Sequence, residues 1–266
     1  MLIVGERINS SRQSISKAIE KRDKEFISDE AIKQSEARAD YIDVNAGTFI
    51  EGEAECLQWL VKVVQEATGK PLCIDTVNPK AAAAALKLHR GKAILNSISG
   101  ERERYNNMLP LVKEYGCSIV ASCLDGSGIP ETAEGRIKIA AYLIDSLTRG
   151  GVAIGDIFID PLVQPISVDH NSGVKVLEVM GYIRKNYPEV HTICGISNIS
   201  FGLPLRKKLN QTFIVLAKQG GLDAAIIDPL DKQLMGSIIS TDTLLGKDEY
   251  CTGFIKAYRS GRLDLT

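Results

Sequence analysis

The chain has 266 residues, of which 44% are hydrophobic and 24% charged, with 32 Lys+Arg against 33 Asp+Glu and a formal net charge of −1. That length admits one or two domains, and the composition supports a sizeable buried core rather than disorder. The charge balance leaves no basic footprint for nucleic acid or membrane, no apolar run approaches the about 20 residues of a membrane span, and no basic-then-apolar leader opens the chain, so the expected setting is cytoplasmic.

Apolar runs rich in Ile, Val and Leu recur at residues 2–8, 41–45, 71–76, 93–96, 118–123, 157–162, 192–197 and 224–228. Their lack of polar alternation suits parallel strands covered on both faces. Helical spacing fills the gaps. Leu57, Leu60, Val61 and Val64 follow i, i+3, i+4, i+7, as do Met108, Leu111, Val112 and Tyr115, and then Val176, Val179, Met180 and Ile183. Pro79 opens an alanine-rich helix, and Thr132 opens another that Gly150-Gly151 closes. Residues from about 247 to 266 read as a terminal helix packed on the outside, with Phe254, Ile255 and Tyr258 as its apolar side chains.

Eight strand–helix units in about 250 residues predict a (β/α)₈ TIM barrel, as one domain over residues 1–266. A doubly wound open sheet is the alternative, because periodicity does not show whether a sheet closes. Cys56, Cys73, Cys117, Cys123, Cys194 and Cys251 include no C-x-x-C pair and read as reduced, mostly core thiols. His89, His170 and His191 have no ligand spacing, so no metal site is expected. Gly126-Ser127-Gly128 lacks the third glycine of a dinucleotide fingerprint and reads as a turn.

In a barrel, the chemistry gathers where strands run into the βα loops. Those ends are unusually polar here. They read Gly5-Glu6-Arg7-Ile8-Asn9, Asp43-Val44-Asn45, Asp75-Thr76, Asn96-Ser97, Asp160-Pro161, Ser197-Asn198 and Asp228-Pro229. Each residue alone fits a helix cap or turn. Together they crowd carboxylates and carboxamides into one mouth, which is costly unless a ligand or network satisfies them. Acceptors of this kind suit a flat nitrogen heterocycle bearing ring N–H, amino and carbonyl groups. A phosphosugar suits them less, since Asp228-Pro229-Leu230-Asp231 would repel phosphate.

These strings, with Cys73-Ile74-Asp75, Ile159-Asp160-Pro161-Leu162 and Gly195-Ile196-Ser197-Asn198-Ile199-Ser200, resemble in order and spacing the methyltetrahydrofolate:corrinoid protein methyltransferases. The same pterin-binding barrel forms the folate module of cobalamin-dependent methionine synthase and occurs in dihydropteroate synthase. The resemblance implies methyl transfer between N5 of tetrahydrofolate and the cobalt of a corrinoid on a separate protein. It also implies a homodimer. Asp75, Asn96 and Asp160 would hold the pterin, Gly195 and Ser197 would line its pocket, and Asn198 would hydrogen-bond N5 as the catalytic residue. Glu6, Asn9, Asp43, Asn45, Arg206, Ile227 and Asp228 are further candidates for pocket or folate-tail contacts. Asn198 could instead cap the following helix, and Arg206 could be a solvated residue beside Lys207 and Lys208.

No Asp-x-His-x-x-Gly cobalamin motif occurs, since Asp169-His170-Asn171-Ser172-Gly173 fails the spacing. The corrinoid is therefore expected on a partner that docks transiently over the mouth. Dihydropteroate synthase-like chemistry is an alternative, but Asn9-Ser10-Ser11-Arg12-Gln13 and Asn45-Ala46-Gly47-Thr48-Phe49 lack its loop signatures. A catalytically idle folate-binding module is another. The loop from Ile199 to Arg206 differs from the longer polar loop of some acetogenic members, which leaves the tail contacts and the partner's identity open; the direction of transfer is set by that partnership and by metabolite levels.

Overall fold

The computed structural model describes residues 1–263. Eight parallel strands close into a barrel in chain order: β1 (Leu2–Asn9), β2 (Tyr41–Asn45), β3 (Leu72–Asp75), β4 (Ile94–Ser99), β5 (Ser118–Ser122), β6 (Ile157–Asp160), β7 (His191–Gly195) and β8 (Ala224–Ile227). β1 pairs with β8, so closure decides against the open sheet. Two helices, α1 (Gln13–Lys21) and α2 (Lys24–Glu36), follow β1. One helix follows each later strand: α3 (Glu53–Thr68), α4 (Pro79–Leu86), α5 (Arg102–Tyr115), α6 (Ala133–Arg149), α7 (Ser172–Asn186), α8 (Arg206–Gly220) and α9 (Lys232–Leu244). No helix among the described residues is long and apolar enough to cross a membrane.

Local chemistry sets the helix starts. Asn78 caps α4 with Pro79 in the first turn, where a missing N–H costs nothing. The Thr132 hydroxyl accepts from Gly135 N at 3.1 Å at the start of α6. The terminal helix is shorter than its pattern suggests. Left-handed Tyr250 and Cys251 break the chain, and only α10 (Thr252–Arg259) is α-helical; residues 264–266 of that expectation lie outside the described residues. The strand ends also shift. β4 pairs on to Ser99 through an irregularity at Asn96–Ile98, whereas β7 stops at Gly195 and Ile196–Ser200 form a 3₁₀ turn.

The site is positioned by strand alternation. Val4, Cys73, Ile94, Val120, Phe158, Ile193 and Ala224, with Tyr41 packed against them, form an apolar plug inside the barrel. Successive side chains on a strand point to opposite faces, so residues two further on also face inward. Those positions hold Glu6, Asp43, Asp75, Asn96, Ser122, Asp160, Gly195 and Ile226, almost all polar. The intervening residues point outward, where Ile42, Val44, Ile74, Leu95, Ile119 and Ile159 pack against the helices. The polar floor therefore rests on a sealed apolar layer and opens only toward the βα loops.

Candidate active site

A cavity of about 720 Å³ occupies the barrel mouth. Its walls include Glu6, Asn9, Asp43, Asp75, Asn96, Asp160, Gly195, Ser197, Asn198, Arg206 and Asp228, so eleven of the thirteen sequence candidates meet there. Asn45 and Ile227 do not line it. Asn45 stands behind the wall, where its Nδ2 donates to Asp75 Oδ2 at 3.0 Å and its Oδ1 accepts from Ser10 Oγ and Gly47 N. Ile227 corrects the expectation. It lies one position out of phase, packed with Leu234 and Ile238 behind the sheet, while Ile226 faces the cavity.

Four carboxyl groups stand on the inner wall with few partners. Asp160 is pushed up to about 6 by burial, despite the Leu162 N–H that donates to its Oδ1 at 2.8 Å. Burial also raises Asp75 to about 6, against the opposing hydrogen bond from Asn45. Asp43 is raised well above the usual carboxylate range by burial and then by the charge of Asp75, and its Oδ1 has no hydrogen-bond partner among the described residues. Glu6 is raised by burial and accepts from Ser197 Oγ at 3.1 Å. A wall that resists ionisation and keeps free acceptor oxygens is made for a ligand that brings N–H donors.

Cations collect nearer the rim. Arg7 donates from Nε to Glu30 at 2.7 Å and from Nη1 to Asp228 at 2.8 Å, which pins the acidic residue after β8. Arg206 donates to Ser197 O at 2.8 Å and to Ser200 Oγ at 3.2 Å, with its guanidinium over the Phe201 ring. It is thus anchored at the wall rather than free in solvent. Arg12 and Lys207 also line the mouth. The sequence reading missed both, since scattered Arg and Lys residues carry no positional signal until the loops fold over one opening.

Asn198 sits in the 3₁₀ turn after β7 and is exposed to the cavity. Its side chain caps no helix: Gly195 precedes the turn and Leu205 occupies the cap position of α8. A Cβ at Gly195 would stand 3.2 Å from Asn198 Nδ2, so the glycine gives the carboxamide its room. Among the described residues no three His, Cys, Asp or Glu side chains converge as a metal ligand set.

Comparisons with known proteins agree with this geometry. A family model described as pterin binding enzyme matches residues 5–228. The chain is 40% identical over 265 residues to a methylcorrinoid:tetrahydrofolate methyltransferase of Eubacterium limosum, covering 99% of this chain and 98% of that protein. It is 28% identical over 240 residues to methionine synthase of Mycobacterium tuberculosis, spanning 85% of this chain but 20% of that larger protein. Among solved structures, dihydropteroate synthase of Xanthomonas albilineans with 4-aminobenzoic acid superposes with a TM-score of 0.72 at 16% identity, over 93% of this chain and 92% of that one, a likeness of fold alone. A barrel closed by eight parallel strands, a polar ring set on an apolar plug and a family match from the first strand to the last lead to one assignment: the chain belongs to the pterin-binding enzyme family.

Proposed function

We propose that this protein transfers a methyl group between N5 of tetrahydrofolate and the cobalt of a corrinoid carried by a separate protein. The reading is carried by the inner ring of Asp75, Asn96 and Asp160 lying below an uncommitted carboxamide, Asn198, in one cavity. The full-length similarity to a relative named for this chemistry supports it. The pyrimidine edge of a pterin offers a ring N–H and an amino group, which match the two carboxylate oxygens of Asp160, of which Oδ1 is shared with the Leu162 N–H. Asn96 both donates and accepts, and Asp75 receives a further ring N–H.

Methyl transfer from methyltetrahydrofolate passes CH₃ to a Co(I) nucleophile with both bonding electrons supplied by cobalt, and the C–N5 electron pair stays on N5. An amide-like nitrogen anion is a poor leaving group, so N5 must gain a proton or a strengthening hydrogen bond as the bond breaks. The Asn198 carboxamide accepts from a protonated N5 or donates to a neutral one, following the change in either direction. Asn itself is no acid at neutral pH, so the proton reaches N5 through the hydrogen-bonded lining. Arg206 and Lys207, at the rim, suit the carboxylates of the folate tail.

The mouth also suits a protein-borne acceptor. Ile50, Val77, Ile129, Val168, Phe201, Leu205 and Leu230 are exposed large apolar residues in βα loops, whereas the seven turns leading into β2–β8 expose none among the described residues. The decisive experiment mixes the protein with methyltetrahydrofolate and free cob(I)alamin and follows the visible spectrum. Decay of the cob(I)alamin band with growth of methylcobalamin is expected; tetrahydrofolate binding without any transfer would instead identify an idle binding module.

A further inference from the structure

The geometry points to Arg136, outside the cavity, as the positioning residue that holds the Asp160 carboxylate in place for the pterin. This inference rests on the pterin-binding reading and adds to it a residue that touches neither substrate. Arg136 lies in the first turns of α6, yet it is fully buried. Its guanidinium donates from Nε to Pro130 O at 3.1 Å, from Nη1 to Pro161 O at 2.9 Å and Leu162 O at 2.8 Å, and from Nη2 to Gln164 Oε1 at 2.9 Å. All four acceptors are neutral, and three belong to the loop that leaves Asp160.

Two local effects oppose a cation there. Burial disfavours its charge, and the positive end of the α6 dipole repels it. If tying two loops together were its whole purpose, a neutral amide could do so at lower cost. What the guanidinium adds becomes clear one bond further along. Leu162 adopts φ 61, a left-handed conformation that a branched side chain rarely takes, and in it the Leu162 N–H reaches Asp160 Oδ1 at 2.8 Å. The bifurcated grip on the Pro161 and Leu162 carbonyls fixes that peptide and hence the plane of the carboxylate. Gln164 carries the clamp to α7, because its N–H donates to the buried Ser172 hydroxyl at 2.9 Å. The guanidinium charge also lowers the cost of ionising Asp160 in its buried setting.

Three variants test this. In unliganded protein labelled with [¹³C]carboxyl-aspartate, with Asp160 assigned by difference from Asp160→Asn, Arg136→Gln is expected to move the Asp160 titration upward by about 1 pH unit. Arg136→Lys keeps the charge but not the fork. It should leave that titration close to wild type while weakening tetrahydrofolate binding about tenfold, the scale of a lost charged hydrogen bond. In the Asp160→Asn background Arg136→Lys should have no further effect on binding. An Arg136→Gln protein that melts cooperatively, with an unmoved Asp160 titration and tetrahydrofolate affinity within about twofold of wild type, would overturn the proposal. So would an equal loss from Arg136→Lys with and without Asp160. If Arg136→Gln fails to fold, Gln164→Ala removes one acceptor of the same clamp while keeping the charge, and is read as Arg136→Lys is: weaker tetrahydrofolate binding with the Asp160 titration unmoved, whereas wild-type affinity would overturn the proposal. A wild type that binds no tetrahydrofolate would refute the pterin reading, while the titration would still decide whether Arg136 governs Asp160.

Discussion

Asp160 is held where its ionised form is costly, and that cost is measurable. Its acid group titrates near 6 in the folded protein, above an ordinary carboxylate near 4. The folded state therefore keeps a proton that the unfolded chain releases between about pH 4 and 6, so this residue makes the fold less stable as pH rises through that window. Asp160→Asn removes that penalty. The unliganded variant is expected to melt about 2–6 °C above wild type at pH 8, with the gap closing toward pH 4–5, while losing pterin binding. Scanning calorimetry at two pH values reads the sign, and a variant less stable at pH 8 would mean that Asp160 is structurally satisfied. Asn198 behaves differently because its carboxamide is exposed and holds no element together. Asn198→Ala should cut methyl transfer about 10²–10³-fold with little loss of folate affinity, whereas Asp75→Ala should chiefly weaken binding. Stopped-flow turnover set beside equilibrium titration separates the two, and the opposite pattern would exchange the roles.

At the scale of elements, α8 and α9 are joined by a charge pair that no sequence pattern announces. Lys218 is 1% exposed, and its Nζ lies 2.6 Å from Asp242 Oδ1 across the helix interface. Burial lowers the ammonium below its ordinary range despite that carboxylate. Removing the partner leaves the cation buried alone, so Asp242→Ala should cost about 2–4 kcal/mol in urea denaturation at pH 7. The penalty shrinks at pH 9.5, where the ammonium can shed its proton in the folded state; a pH-independent loss would point to packing alone. Lys218 also shows where periodicity misleads. It stands on the inner stripe of α8 beside Ile214 and Ala217, a position at which a charge reads as solvated until its partner is known. The strands were more legible. Apolar runs locate all eight, but run length does not fix the phase at their ends, so nothing in the sequence separates the candidate Ile227 from Ile226, which faces the cavity. A one-residue slip on a strand exchanges lumen for outer layer. Tyr250 and Cys251 escaped for another reason: left-handed conformations at such residues leave no compositional trace.

For the whole molecule, order along the chain was enough to reveal the ring of acceptors, because each contributing residue lies within one of the apolar runs. Its rim was not legible. Ile50, Val77, Ile129, Val168 and Leu205 lie far apart in sequence among polar loop residues, and only closure gathers them at one end of the barrel. Exposed apolar side chains are ordinary and occur on the helices too; among the loops that flank the strands, their restriction to the end that bears the cavity is not. Leu205 sharpens the point, since it is 78% exposed and adopts φ 54, where glycine would be the favourable residue. A side chain that gives the isolated protein neither burial nor an easy backbone suits the docking contact that the proposed function calls for. Leu205→Gly should therefore raise the melting temperature of the isolated protein by about 2–4 °C, the effect of about 1 kcal/mol at this size. The same change, and independently Val168→Glu, should leave transfer to free cob(I)alamin within about twofold of wild type, because a small acceptor diffuses into the mouth without a docking surface. With a purified corrinoid protein reduced to Co(I) as acceptor, both variants should raise KM about tenfold, as expected for truncating or charging an apolar contact at an interface. Equal losses with both acceptors would place these residues in the pterin pocket, and no loss with either would leave the rim without a partner.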